Sequence, residues 1–195
     1  MENSCKNNEL EKYREAIEQY AKERKNSLIL NGGNEHALII LENIFKNAKK
    51  KIRIAAEQLY NDEVVNTPCY IDSMRKFLNR DNTELCIIIA QKPPRYVCKE
   101  ENSFYNMLYK HSAYKENRIK IKAEIRFKDK KSQNFVNFCT GDDSMYRFEY
   151  SVEKRKALAN FNDKTRTEQL NNLFDKNFNE FLNDDKVLDL DRFCE

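Results

Sequence analysis

Glycine and proline are scarce, three of each in 195 residues, which excludes a linker-rich or low-complexity chain. Long apolar runs are missing as well, and nothing approaches the ~20 consecutive apolar residues that cross a bilayer. The opening MENSCKNNELEKYREAIEQ lacks the apolar centre of a secretory leader, so the expectation is a cytoplasmic protein that keeps off membranes. Cysteine occurs at 5, 69, 86, 98, 139 and 194, with no C-x-x-C pair and no metal-ligand spacing. Reduced thiols are therefore expected, with Cys86 and Cys139 as small core residues, and neither a metal nor a cofactor is called for. A formal charge of +3 is too small by itself to mark a polyanion partner. Histidine occurs only at 36 and 111, a shortage that decides which phosphoryl chemistry is open to the chain.

What is present is 34% charged residues beside 40% hydrophobic ones, enough for a dense ionic surface over one domain's core. Leu10, Tyr13, Ile17 and Tyr20 recur at helical spacing with Ala16 and Ala21 and predict an amphipathic N-terminal helix. Its stripe either packs on the core or serves a partner. Asn31-Gly32-Gly33-Asn34 reads as a turn in which an asparagine caps a second helix over 35–50; it lacks the spacing and the lysine of a phosphate loop. Residues 51–59 alternate as a strand, and Thr67-Pro68 opens a helix carrying Ile71, Met74, Phe77 and Leu78. TELCIIIA, 83–90, is a continuous apolar run of the kind a central parallel strand requires. A third helix is expected over 104–114.

RIKIKAEIRFK, 118–128, alternates most cleanly, with Ile119, Ile121, Ala123, Ile125 and Phe127 opposed to a charged face that includes Lys120 and Lys122. That face is either the charge protection of an edge strand or a phosphate-contacting ridge continued by Lys130 and Lys131. Runs over 133–140 and 145–151 flank the turn-forming Gly141-Asp142-Asp143-Ser144, and a third run over 156–161 leads into a long helix. Thr165 and Glu168 fit a capping box for that helix, and Leu170, Leu173, Phe174, Phe178, Phe181 and Leu182 form its core stripe. Asp142-Asp143 would suit a divalent cation, although a hairpin turn accounts for both. Asp129-Lys130-Lys131 and Asp184-Asp185-Lys186 match a bare D-x-K fragment that arises by chance at this charge content. The element order gives an α/β class with a mixed sheet sandwiched by helices. Three parts are expected: an N-terminal helix and linker (1–34), an α/β domain (35–183) and an acidic tail (184–195). The tail's Val187, Leu188, Leu190 and Phe193 dock either on the domain or on a neighbour.

ALIILENIFKNAKKKIRIAAEQL, MRKFLNRDNTELCIIIA, the charged alternating strand and a hairpin ending in KALANFNDKTRTEQLNNLFDKNF together resemble one repeat of the phospholipase D-like fold, over about residues 35 to 182. The resemblance implies a site shared by two repeats about a two-fold axis, hence a homodimer or a larger protein partner. Active members of that family carry H-x-K-x4-D, whose histidine attacks phosphorus while the lysine neutralises phosphate oxygens. Here His36 and His111 are followed two positions on by Leu38 and Ala113, and QNFVNFCT places Gln133, Phe135 and Thr140 at the motif positions. The expectation is a catalytically silent binding or accessory module, of the kind found in defence or gene-regulation complexes. Its old cleft would be lined by Gln133, Asn137 and Asn160, with Lys120, Lys122 and Arg147 giving positive charge for a nucleic-acid backbone. The alternative is a divergent metal-dependent nuclease built on Asp142 and Asp143.

Overall fold

The computed structural model describes residues 2–60, 63–101, 103–125, 136–151, 154, 156–180 and 186–194, with backbone alone for 2–7. Three apolar runs form the parallel strands β2 (Lys51–Ala56), β3 (Glu84–Ile89) and β4 (Ile119–Ala123). Four antiparallel strands complete the sheet: β1 (Ile29–Gly32), β5 (Asn137–Gly141), β6 (Met145–Ser151) and β7 (Lys156–Asn160). The strand order is β1-β7-β6-β5-β2-β3-β4. TELCIIIA supplies β3, whose residues from Leu85 to Ile89 are all buried because helices lie over both of its faces. The expected mixed sheet between helical layers is therefore what the chain forms.

One layer holds α1 (Glu2–Glu23), α2 (Asn34–Asn47), α3 (Pro68–Leu78), α4 (Arg95–Lys99), α5 (Phe104–Lys110), α6 (Ser112–Lys115) and α8 (Leu190–Cys194). The other holds α7 (Lys164–Glu180). Of the two readings of the N-terminal stripe, docking on the core is the one observed: Ile17 and Ala21 are buried, and Arg14 pairs with Glu42 of α2 at 2.8 Å. Thr67 caps α3 through the Tyr70 N–H, with Pro68 at the first helical position, as its sequence signals.

Several local expectations give way to neighbours. The Asn31-Gly32 stretch belongs to edge strand β1, and Gly33, at φ 87°, caps α2 in place of Asn34, whose amide binds Glu63. The 104–114 helix breaks at His111, because the imidazole Nδ1 accepts the Ala113 N–H at 3.1 Å and starts a new helix, α6. Asp163, not Thr165, caps α7 by accepting the Arg166 N–H at 2.9 Å. Leu170 and Phe174 are buried in the expected stripe, but Leu173 is exposed, and Phe181 and Leu182 lie outside the described residues. Reduced thiols are not the rule: a disulfide joins Cys98 of α4 to Cys194 of α8, with Cα atoms 5.2 Å apart. It holds the tail on the domain, where Leu188, Leu190 and Phe193 are buried and the Leu188 N–H pairs with the Ile121 carbonyl at 2.9 Å. Cys86 and Cys139 are buried free thiols as expected.

Polar pins set the layers in register. The Asp142 carboxylate accepts the backbone N–H groups of Lys49, Lys50 and Lys51 at 2.8, 2.8 and 3.0 Å, tying the β5–β6 turn to the start of β2. Beside it Gly141 allows close approach, since a Cβ there would lie 2.8 Å from Ile44. On the far face Arg53 grips Asp175 of α7 through two hydrogen bonds, at 2.9 and 2.8 Å, and Thr140 donates to Asn171 at 2.6 Å. At the amino ends of the parallel strands, Glu84 receives Lys51 and Lys120 at 2.9 and 2.8 Å.

Two outcomes test these pins. Asp142→Ala leaves three backbone donors without their charged acceptor and lowers unfolding free energy by about 2 kcal/mol. Asp143→Ala, at an exposed position, shifts it by under about 0.5 kcal/mol, and equal losses for both variants in urea titrations would remove the argument. For Glu84, burial alone would raise the carboxyl, but hydrogen bonds from Lys120 and Lys51 and their charges hold it at about 2. A folded-state value below the unfolded one adds stability above about pH 4.5, and that stability disappears as pH falls toward 2. Because the pair is partly solvated, the contribution is about 1 kcal/mol. The wild type should lose this margin over Glu84→Gln between neutral and strongly acid pH, and a margin that stays constant with pH contradicts the assignment.

Candidate functional site

The registers of β1, β7, β6 and β5 align Asn31, Ala157, Glu149 and Asn137 in one row across the sheet. The adjacent row aligns Ile29, Ala159, Arg147, Cys139 and, on β2, Ile54. Both rows face the α1–α2 layer, so a strand written MYRFEYS buries an arginine and a glutamate beside its methionine. Arg147 and Glu149 pair at 3.5 Å with both side chains almost wholly buried. Asn137 completes the cluster: its Nδ2 donates to Glu149 at 3.2 Å, and its Oδ1 accepts the Glu57 N–H at 2.8 Å. Asn31 is only 5% exposed, and among the described residues neither atom of its amide has a hydrogen-bond partner.

A cavity of about 100 Å³ lies against this cluster, with Ile54, Leu59 and Tyr70 among its apolar walls and Asn34, Gln58, Asn137, Arg147 and Glu149 as polar lining. It sits beside the carboxyl end of β2, where the crevices of parallel strands collect ligands. Burial pushes the Cys139 thiol up to about 12 against the pull of nearby Arg147, so at neutral pH it is an uncharged wall. Burial likewise pushes the Tyr13 phenol on α1 up to about 12, again opposed by Arg147. The pocket thus sets a paired arginine and glutamate and several amides against apolar walls, and among the described residues its thiol is uncharged at neutral pH.

The six residues expected to line a cleft part company. Asn137 and Arg147 meet in this cluster. Asn160 lies at the opposite end of its strand, donating to Asn26 at 2.9 Å and accepting the Asn162 N–H at 2.8 Å. Lys120 is bound to Glu84, and Lys122 is 8% exposed beneath α7, donating to the Phe178 carbonyl at 2.6 Å. The second half of the expected basic ridge, Lys130 and Lys131, and also Gln133, lie outside the described residues. Glu149, Asn31 and Asn34 were not foreseen. Glu149 had a readable signal, an opposite charge two positions from Arg147 on one face of an otherwise aromatic strand.

Neither imidazole is at the pocket. His36 stacks on Tyr13 with ring centres 4.0 Å apart. His111 bridges Asn79, 3.0 Å from Nε2, and the Ala113 N–H, and burial with Arg118 and Arg75 nearby lowers its pKa. Asp142 is fully occupied by backbone N–H groups, and among the described residues no three His, Cys, Asp or Glu side chains converge as a metal site. Removing one member of the buried pair strands the other: Glu149→Gln should cost about 3 kcal/mol in urea denaturation. The double variant Arg147→Met with Glu149→Leu should cost distinctly less, and a double loss equal to the sum of the singles would show that the pair is not coupled.

No family model and no curated protein matches the sequence. Solved structures do. The archaeal chromatin protein TrmBL2, described as showing a novel mode of DNA binding, superposes with a TM-score of 0.56 at 13% identity over 92% of this chain. The chain spans 64% of that protein's length. NucT from Helicobacter pylori gives a TM-score of 0.54 at 13% identity, covering 80% of this chain and 97% of NucT. Phosphatidylserine synthase from Haemophilus influenzae gives 0.49 at 14% identity, over 87% of this chain and 41% of that one. With its mixed seven-stranded sheet held between helical layers, the chain has the phospholipase D-like fold.

Proposed function

We propose that the chain is a phospholipase D-like module that binds without hydrolysing and associates with nucleic acid as a regulatory or accessory subunit. The observation that carries this reading is the occupancy of the cleft: a neutralised Arg147–Glu149 pair tied to Asn137 stands there, while both histidines serve elsewhere as a stacking partner and a helix cap. Phosphoryl transfer of the family type needs an imidazole within hydrogen-bond reach of the phosphate, and these two are committed away from the pocket. The DNA-binding description of TrmBL2, whose fold this chain shares, supports nucleic acid as the partner class. A homodimer or a larger protein partner, and a setting in a defence or gene-regulation complex, extend the same reading.

The metal-dependent alternative loses its ligands, because Asp142 holds the Lys49–Lys51 backbone and Asp143 is a turn residue. Labelled single- and double-stranded DNA and RNA incubated with the chain and magnesium or manganese should remain intact. The same oligonucleotides should be retained at about 50 mM salt and released toward 200 mM, as counterion release demands. Cleavage that vanishes in Asp143→Ala would overturn the non-hydrolysing reading, and absence of retention at low salt would overturn the nucleic-acid one.

A further inference from the structure

The sheet face under α7 is only partly covered. The register Leu30–Leu158–Phe148 continues across β1, β7 and β6 on that face, and Leu28 extends it by two residues. Leu30 is 67% exposed, Leu28 60% and Tyr150 53%. A bulge between Glu149 and Ser151 leaves Tyr150 as the extra residue, so it and Ser151 together oppose Lys156, which shares the face of Leu158. The Arg166 guanidinium lies over the Phe148 ring at 5.4 Å, widening the flat surface by one planar group. Basic side chains ring the patch: Lys154, Lys156, Lys164 and Arg166 are exposed, and none has a carboxylate within ion-pair distance among the described residues. Asp163, also on this side, accepts the Arg166 N–H as the cap of α7.

We propose that this open face, with Tyr150 and the Arg166-covered Phe148 at its centre and lysines at its rim, is a docking platform for single-stranded nucleic acid. This rests on the nucleic-acid reading given above. The occupant follows from matching chemistry. A second copy placed face to face would bring two basic rims together, which like-charge repulsion opposes. A duplex presents phosphates outward and keeps its base faces stacked inside, leaving Leu28, Leu30 and Tyr150 without apolar partners. A single strand offers both at once: base faces that stack on aromatic and guanidinium planes, and phosphates that pair with the rim. The platform lies on the sheet face opposite the Arg147 pocket, so it owes nothing to the cleft.

Fluorescence anisotropy with a short labelled single-stranded oligonucleotide, and with its duplex, tests this on the full chain. The expected result is tighter binding of the single strand and a roughly 5- to 100-fold loss of affinity in Tyr150→Ala. Lys156→Glu should weaken binding and reduce the salt slope by about one. Circular dichroism of both variants, whose substituted side chains are exposed, confirms that they fold. If the wild type binds but neither substitution changes affinity, or if the duplex binds better, the platform is wrong and the nucleic-acid reading stands. If the wild type binds no oligonucleotide at low salt, both fall. If Tyr150→Ala instead abolishes a concentration-dependent dimer measured by light scattering, leaving oligonucleotide affinity intact, the face belongs to a protein partner and the platform is likewise overturned.

Discussion

Among the described residues one helix, α7, has to shield a whole face of the seven-stranded sheet, and it cannot cover all of it. α7 crosses the sheet from Phe148 of β6, under Arg166, to Lys122 of β4, beneath Phe178, and leaves Leu30 of β1 exposed. It is placed over β2, β5 and β6, where Phe138, Thr140 and Arg53 receive Phe174, Asn171 and Asp175. Among the described residues the opposite face has seven helices to share the task. This imbalance makes β1, β7 and β6 chemically two-sided: buried polar rows on one side, and exposed leucines and a tyrosine on the other.

The buried rows raise a separate energetic question, because Arg147, Glu149 and Asn31 sit where apolar residues would pack at less cost. Desolvating two charges offsets most of their attraction, so the pair contributes little net stability compared with a hydrophobic replacement. What it does supply is specificity of register. Slipping β6 by one residue would turn Arg147 and Glu149 together to the other face and take Glu149 away from Asn137. Asn137 extends the constraint to β2 through the Glu57 N–H. The strand ends that border the pocket are therefore fixed by polar contacts, while the centre of the sheet is held by Ile and Leu side chains that tolerate sliding far better.

Much of the fold was legible because long-range contacts agreed with local pattern. TELCIIIA could bury both faces only inside a parallel sheet, and Thr67-Pro68 could only begin a helix. The failures occur where a distant residue supplied what the local sequence seemed to promise. Asn34 was drawn off by Glu63, Asp163 replaced Thr165 as the cap, and Cys194 found Cys98 across 96 residues of chain. The candidate site was half legible for the same reason. Asn137 lies directly across from Glu149, the partner of Arg147, which hairpin alternation reveals. Asn160 was misplaced because β7 runs back along β6, carrying its last residue to the far end of the sheet.

Lys122 shows why charge read along a strand misjudges a binding surface. Alternation puts it on the wet face of RIKIKAEIRFK, but an edge strand under a helix end is not wet: Phe178 offers both a carbonyl at 2.6 Å and a ring 4.8 Å from the ammonium. A cation engaged in that way is already neutralised by protein dipoles and gains less from a phosphate than one held in water by its stem alone. By this criterion the basic character of β4 is structural, serving Glu84 and α7. The cations able to attract a polyanion are those held in no ion pair, and among the described residues several of these gather where α7 leaves the sheet bare. The same shortage of covering helix exposes Leu30 and Tyr150 on the face where Lys154, Lys156 and Arg166 stand, none of them in an ion pair among the described residues.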